Sequence, residues 1–302
     1  MFSKKIFIPA LCASLLALSS LQAQQPSQSS SSRPASETVT IKQVRGNLYQ
    51  VSGGVGNAFF YVGPDEVLVI DAKISAEAAG QMLAEIKKIT DKPVRRVVLT
   101  HSDGDHVNGL AGFPPHLTII SHTNGRQDIA QANAAATTKL PLPNETFSKD
   151  LTLFVGDTEI QLLYYGPAHT NGDIVVYIPS AKTAIVGDLI FVGRDPLIHA
   201  NKHGSSFGLV SVLKALLQLD ADVFLSGHAD GVDKKAIETL IAQIEEKQAK
   251  IKALVQEGKT LAEVKEEFAG ADQTATPGRR WPSLVEIIYQ ELTKPANAGK
   301  SE

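Results

Sequence analysis

Along the chain, short runs of apolar, β-branched and aromatic positions gather in two regions, and hydrophobic positions recur at helical spacing in several others. Residues 38–44, 48–52, 58–62 and 67–71 form short runs rich in β-branched and aromatic side chains, separated by Gly, Asn and Pro-Asp. That pattern predicts an antiparallel meander. Ala78, Met82, Leu83, Ile86 and Ile89 then share one helical face, which predicts a helix over residues 75–89. The compact run Arg96-Val97-Val98-Leu99-Thr100 reads as a buried strand, and residues 117–121 as another. A looser series follows, with strands over 151–155, 159–165, 174–178, 183–186 and 223–226 and a helix over 210–219. Two strand-rich runs, each closed by a helix, suggest two packed halves of sheet covered by outer helices. Ile237, Leu240, Ile241, Ile244, Ile251, Leu254 and Val255 form a further stripe, expected to lie on the outer face of the domain. Shorter helices are expected over 261–268 and 283–292.

Composition narrows the class. The chain has 302 residues, 43% hydrophobic and 20% charged, as in an ordinary globular protein. With 29 basic against 32 acidic residues it has no basic field, which argues against a nucleic-acid partner. The start is different in character. Lys4 and Lys5 precede an apolar run from Ile6 to Leu18, and small and polar residues lead to Ala23. This is the pattern of a secretory signal over residues 1–23, and the run is shorter than the roughly 18 residues a membrane span needs. A periplasmic or secreted protein is expected, with no membrane attachment after cleavage. Residues 24–37 are polar and of low complexity and read as a flexible linker. The organisation expected beyond it is a domain over 38–232 and a helical segment over 233–302 packed on that domain. Cys12, the single cysteine, falls inside the signal rather than after a lipobox. The mature chain would therefore hold any metal through nitrogen and oxygen alone.

The chemistry is concentrated in His101-Ser102-Asp103-Gly104-Asp105-His106, directly after the buried strand. Four candidate ligands fall within six residues. Gathering so many ionisable groups on one turn costs desolvation and repulsion unless a cation compensates. A metal site follows from the residue types.

The same stretch resembles the His-x-His-x-Asp-His signature of the metallo-β-lactamase superfamily. Four further segments resemble that family in order: Val69-Ile70-Asp71, Gly166-Pro167-Ala168-His169-Thr170-Asn171-Gly172-Asp173, Gly187-Asp188-Leu189-Ile190-Phe191 and Ser226-Gly227-His228. The resemblance implies an α/β fold, the αββα sandwich, here with additional C-terminal helices and the site in a cleft at one edge. It implies a first metal on His101, Asp103 and His169, a second on Asp105, His106 and His228, and Asp188 bridging the two. A hydroxide between two divalent ions would attack a carbonyl or similar electrophile, with Asp105 and Asp188 as the catalytic carboxylates. The family points to zinc.

Asp103 departs from the signature, which has histidine there. Asp103, Asp105, Asp188 and a hydroxide would formally neutralise two divalent ions, tilting the site toward iron or manganese. A more cautious reading places Asp103 beside the ligand shell rather than in it. His116 reads as a loop residue and His122 as a structural strand end. His199, Asn201 and His203, in a polar loop with Lys202 after the Asp188 segment, are candidates to bind substrate.

The expected function is hydrolysis of a small-molecule ester, thioester, lactone or amide. β-Lactam hydrolysis is the alternative substrate, although the missing thiol excludes the cysteine-ligand subclass. A diiron oxidoreductase fits the carboxylate at Asp103, but such proteins add a flavin domain and the C-terminal segment is too short for one. A binding protein that kept the fold without turnover would be expected to have lost ligands. No feature of the sequence singles out an oligomeric state.

Overall fold

The computed structural model describes residues 1–2, 38–269 and 281–294. Almost all of the expected signal, the whole expected linker and Cys12 lie outside the described residues, as do 270–280 and 295–302 of the C-terminal segment.

The first sheet begins as the meander expected from the short runs and their turn residues: β1 (Thr40–Arg45), β2 (Leu48–Ser52), β3 (Ala58–Val62) and β4 (Val67–Ile70) pair antiparallel in order. After helix α1 (Ala76–Ile89) the chain returns as β5 (Val94–Val98), parallel to β4. A single turn, α2 (Gly104–Val107), precedes β6 (Thr118–His122), helix α3 (Thr123–Ala135) and β7 (Glu145–Phe147), which extend the sheet in parallel. The second sheet has the order β12-β11-β10-β9-β8. Its strands are β8 (Leu151–Val155), β9 (Thr158–Leu163), β10 (Val175–Ile178) and β11 (Thr183–Gly187), followed after helix α4 (Ser206–Leu216) by β12 (Val223–Ser226). Helices α5 (Lys234–Gln256), α6 (Leu261–Glu267) and α7 (Leu284–Thr293) follow.

Period-two alternation decides which layer each strand residue enters. Phe59, Leu68, Ile70, Val98 and Ile120 of the first sheet meet Leu153, Ile160, Leu162, Val176 and Ile185 of the second. Their neighbours Phe60, Val69, Val97 and Ile119 point to the other face, onto Met82 and Ile86 of α1 and Ile129 of α3. Across the second sheet, Val175, Tyr177, Val186 and Phe224 pack under Leu209 and Leu213 of α4, Ile237, Leu240 and Ile244 of α5, and Ile287 and Ile288 of α7. The fold is therefore an αββα sandwich whose C-terminal helices share the outer core. Among the described residues, no helix is long and apolar enough to cross a membrane.

Two elements do not appear in the hydrophobic pattern. α3 buries only Gly125, Ile129 and Asn133, so it has too little apolar surface to mark a stripe. β7 is three residues long. The helix expected at 210–219 starts earlier, where the Ser205 hydroxyl accepts from Gly208 N.

Candidate metal centre

Strand ends and the loops that follow them deliver every candidate ligand to one edge of the sandwich. β4 runs into Asp71, a buried residue in the left-handed region at φ 64°. Its carboxylate accepts from Thr100 N and from the Thr100 hydroxyl, each at 2.8 Å, and lies 2.8 Å from His106 Nδ1. Ionised Asp71 can only accept, so the proton sits on His106 Nδ1 and the Nε2 lone pair points into the site. Thr100 spends its proton on Asp71, so it can only accept from His101 Nδ1 at 2.9 Å. His169 Nδ1 faces the Leu197 carbonyl at 2.7 Å, again an acceptor only. Three imidazoles are thus locked in one tautomer, with Nε2 turned inward.

The remaining ligands arrive by tight turns. Asp188 follows Gly187, whose φ is +51°. His228 is set by a hydroxyl relay: its amide donates to Ser226 Oγ at 3.1 Å, and Ser226 donates to the Ile190 carbonyl at 2.7 Å. Gly227 between them has no room for a side chain, since a Cβ would lie 2.2 Å from Asp188 Oδ1 and 2.8 Å from His106 Cε1. Asn57 closes the far side, donating its side-chain amide to the Ser226 and Ala229 carbonyls.

Ligand atoms of His101, Asp103, His169 and Asp188 all lie within 4.8 Å of one another, as do those of Asp105, His106 and His228. Asp188 joins the two groups. Its Oδ2 is 3.8 Å from His101 Nε2 and 3.0 Å from His228 Nε2, and its Oδ1 is 3.3 Å from His106 Nε2. Seven expected ligands therefore converge. His101 Nε2, His106 Nε2 and Asp188 Oδ1 are buried and have no hydrogen-bond partner. Buried polar atoms are normally satisfied, so lone pairs facing one another across a shared space fit a cation.

The electrostatics agree. Burial pushes the Asp188 carboxyl up, but His106 and His101 outweigh it and hold it well below its ordinary range. Burial lowers His228, yet its hydrogen bonds to Asp105 and Asp188 raise it to about 9. His169 likewise overcomes burial through Asp103 and rises to about 9. The cluster carries more negative charge than its imidazoles, left neutral, would balance.

His199, Asn201 and His203 lie in different places. His199 is buried rather than on the rim, with Nε2 2.7 Å from Asp103 Oδ2 and its ring edge-on to Trp281. Asn201 and His203 are exposed, and His203 has a left-handed backbone at φ 54°. His122 ends β6, caps α3 by accepting from Asn124 N, and stacks on Tyr164. His116 sits in a loop at φ 71°.

Three residues beyond the expected set also build the centre. One is Asp71, described above, and a second is Lys202, whose Nζ lies 2.7 Å from Asp103 Oδ1. The third is Lys73, fully buried, whose ammonium binds the Gly53 carbonyl at 2.7 Å and the Gly56 carbonyl. Burial lowers Lys73 to about 8, against the pull of Asp105 and Asp71. It pins a glycine loop against the site: a Cβ on Gly56 would meet the Asp105 carbonyl at 2.9 Å.

Comparison with known proteins bears on the same residues. A family model described as the metallo-beta-lactamase superfamily matches residues 51–228. The chain is similar to "Metallo-beta-lactamase type 2" of Elizabethkingia meningoseptica, 28% identical over 227 residues that cover 71% of this chain and 88% of that protein. It is also similar to "2,4-dinitroanisole O-demethylase subunit alpha" of a Nocardioides species, 26% identical over 193 residues covering 63% of this chain but only 58% of that protein. The solved sec-alkylsulfatase Pisa1 of a Pseudomonas species superposes with a TM-score of 0.70 at 17% identity, over 84% of this chain and 50% of that one.

Proposed function

The chain belongs to the metallo-beta-lactamase superfamily of hydrolases, and on that premise we propose that it is an exported hydrolase of small ester, thioester, lactone or amide substrates that uses two divalent metal ions. The observation that carries the reading is the inward set of partnerless atoms, His101 Nε2, His106 Nε2 and Asp188 Oδ1, at the meeting point of seven ligands. His101, Asp103 and His169 would hold one ion, Asp105, His106 and His228 the other, and Asp188 both. Bound there, divalent ions supply Lewis acidity and bring the pKa of water toward neutrality.

The chain's own groups do the rest. Asp71, Thr100 and the Leu197 carbonyl fix the imidazole tautomers, so no reorganisation is needed when the site works. Asp105 lies at the open side with its Oδ2 3.1 Å from His228 Nε2, where it can take the proton of an attacking water. His228 is the most exposed of the seven and marks the approach for substrate.

Export rests on the Lys4-Lys5 region and the apolar run to Leu18. Zinc is favoured by family, and iron or manganese by the carboxylate of Asp103. β-Lactam hydrolysis is a second reading, supported by the relative of which the match covers 88%. A panel of chromogenic carboxylic esters, a sulfate ester, a lactone and a chromogenic cephalosporin tests both. His106→Ala and Asp188→Ala are each expected to abolish turnover with the circular dichroism spectrum unchanged. Wild-type rates in either purified variant would overturn the reading.

A further inference from the structure

Resting on the metal-centre reading, we propose that Lys202 is a built-in counter-charge and positioning residue for Asp103. Together the two form an ion pair that stands where the signature carries one neutral histidine. The geometry divides the Asp103 carboxylate into two jobs. Oδ1 takes the Lys202 ammonium at 2.7 Å. Oδ2 faces the cluster, 3.1 Å from His169 Nε2 and 3.9 Å from His101 Nε2, and is steadied by His199 Nε2 at 2.7 Å.

Lys202 has no donor left for anything else. An ammonium carries three protons, and the other two contacts are the Ser102 carbonyl and hydroxyl, each at 3.1 Å. Ser102 in turn donates to Asp128 at 2.8 Å. The backbone of the loop is tied down as well: Lys202 N donates to the His199 carbonyl, and Asn171 N donates to the Lys202 carbonyl, each at 2.9 Å. Through Lys202 the polar loop is a strut between the 101–106 and 166–173 segments.

The side chains are 22% and 13% exposed, so salt screens the pair weakly and neither charge can easily be left alone. The charge count then changes. Three cluster carboxylates and a hydroxide would cancel two divalent ions, but the ammonium returns the single positive excess that a neutral histidine would have left. Asp103 therefore supplies an oxygen ligand without making the centre more anionic.

A double-mutant cycle on the full-length protein tests this, with zinc affinity measured by chelator competition and the cobalt(II) absorption spectrum as a second readout. Asp103→His alone leaves an ammonium unpaired beside the cations and is expected to weaken zinc binding by about 100-fold. Adding Lys202→Met to it is expected to recover at least about tenfold, whereas Lys202→Met alone is expected to change affinity by less than about tenfold. Lys202→Arg should keep the cobalt(II) spectrum and Lys202→Met should shift it, a comparison that stands even if Asp103→His fails to fold. The same factor for Lys202→Met in both backgrounds, or identical cobalt spectra for wild type and Lys202→Met, would overturn the inference while leaving the hydrolase reading intact. No metal uptake by the wild-type chain would overturn both.

Discussion

Asp71 and Gly227 shape the centre without being ligands. Asp71 decides which nitrogen of His106 carries the proton, so Asp71→Asn is expected to weaken metal binding about 10- to 100-fold while leaving the fold in place. Titration against a chelator checks it, and unchanged affinity would mean that the tautomer is set some other way. Gly227→Ala pushes a methyl into Asp188 and His106, and should lower the metal content of purified protein with little change in secondary structure. A full metal complement in that variant would show that the turn gives more than the structure implies. The candidate ligands themselves were legible in the sequence because four of them crowd one turn and the others sit in short recognisable segments. The roles of Asp71, Lys73 and Lys202 were not, although Asp71 closes one of the segments that carry the family resemblance. Their partners are remote: Asp71 meets Thr100 across 29 positions and Lys202 meets Asp103 across 99. Nothing local distinguishes a lysine that closes an ion pair from one that faces water. His199 shows the converse, since its polar loop made it a substrate candidate and the fold buries it against Asp103.

Strands were the easiest elements to read because a strand covered on both faces is a short continuous run of β-branched and aromatic residues, as at Phe59-Phe60 and Val97-Val98, whose neighbouring side chains enter different layers. α3 escaped because a helix with one buried isoleucine has no stripe to see. The helices from α5 onward were legible as amphipathic, and their packing makes a separable prediction. Ile244 is buried in the outer core that α5 shares with the second sheet, so Ile244→Ala is expected to cost about 2–5 kcal/mol of stability with metal content unchanged. Urea denaturation with metal analysis of the same sample checks both halves. At the start of α7, Ser283 and Glu286 form a capping box, and Glu286 also meets Lys265 at 2.8 Å. Burial raises the Glu286 carboxyl, but Lys265 and the Ser283 amide outweigh it and hold it below its ordinary 4.5. A depressed carboxylate stabilises the fold above its unfolded value and loses that contribution as pH falls through its folded one. Wild type should therefore melt above Glu286→Gln at pH 7, and the gap should close as the pH falls below the ordinary carboxylate range. A gap that persists in acid would remove the charge from the explanation.

Two sheets, each covered on its outer side, bring the loops after β4, β5, β9, β11 and β12 to one edge, and that is what turns scattered residues into a site. The same arrangement ties stability to the cation, because the seven candidate ligands come from four segments that an ion would hold together. Equilibrium dialysis of the purified protein against zinc, manganese(II) and iron(II), followed by metal analysis, is the most direct test. Two ions per wild-type chain are expected, with clear loss in His106→Ala and Asp188→Ala. A wild-type protein that is folded yet takes up no stoichiometric metal from any of the three would contradict the assignment.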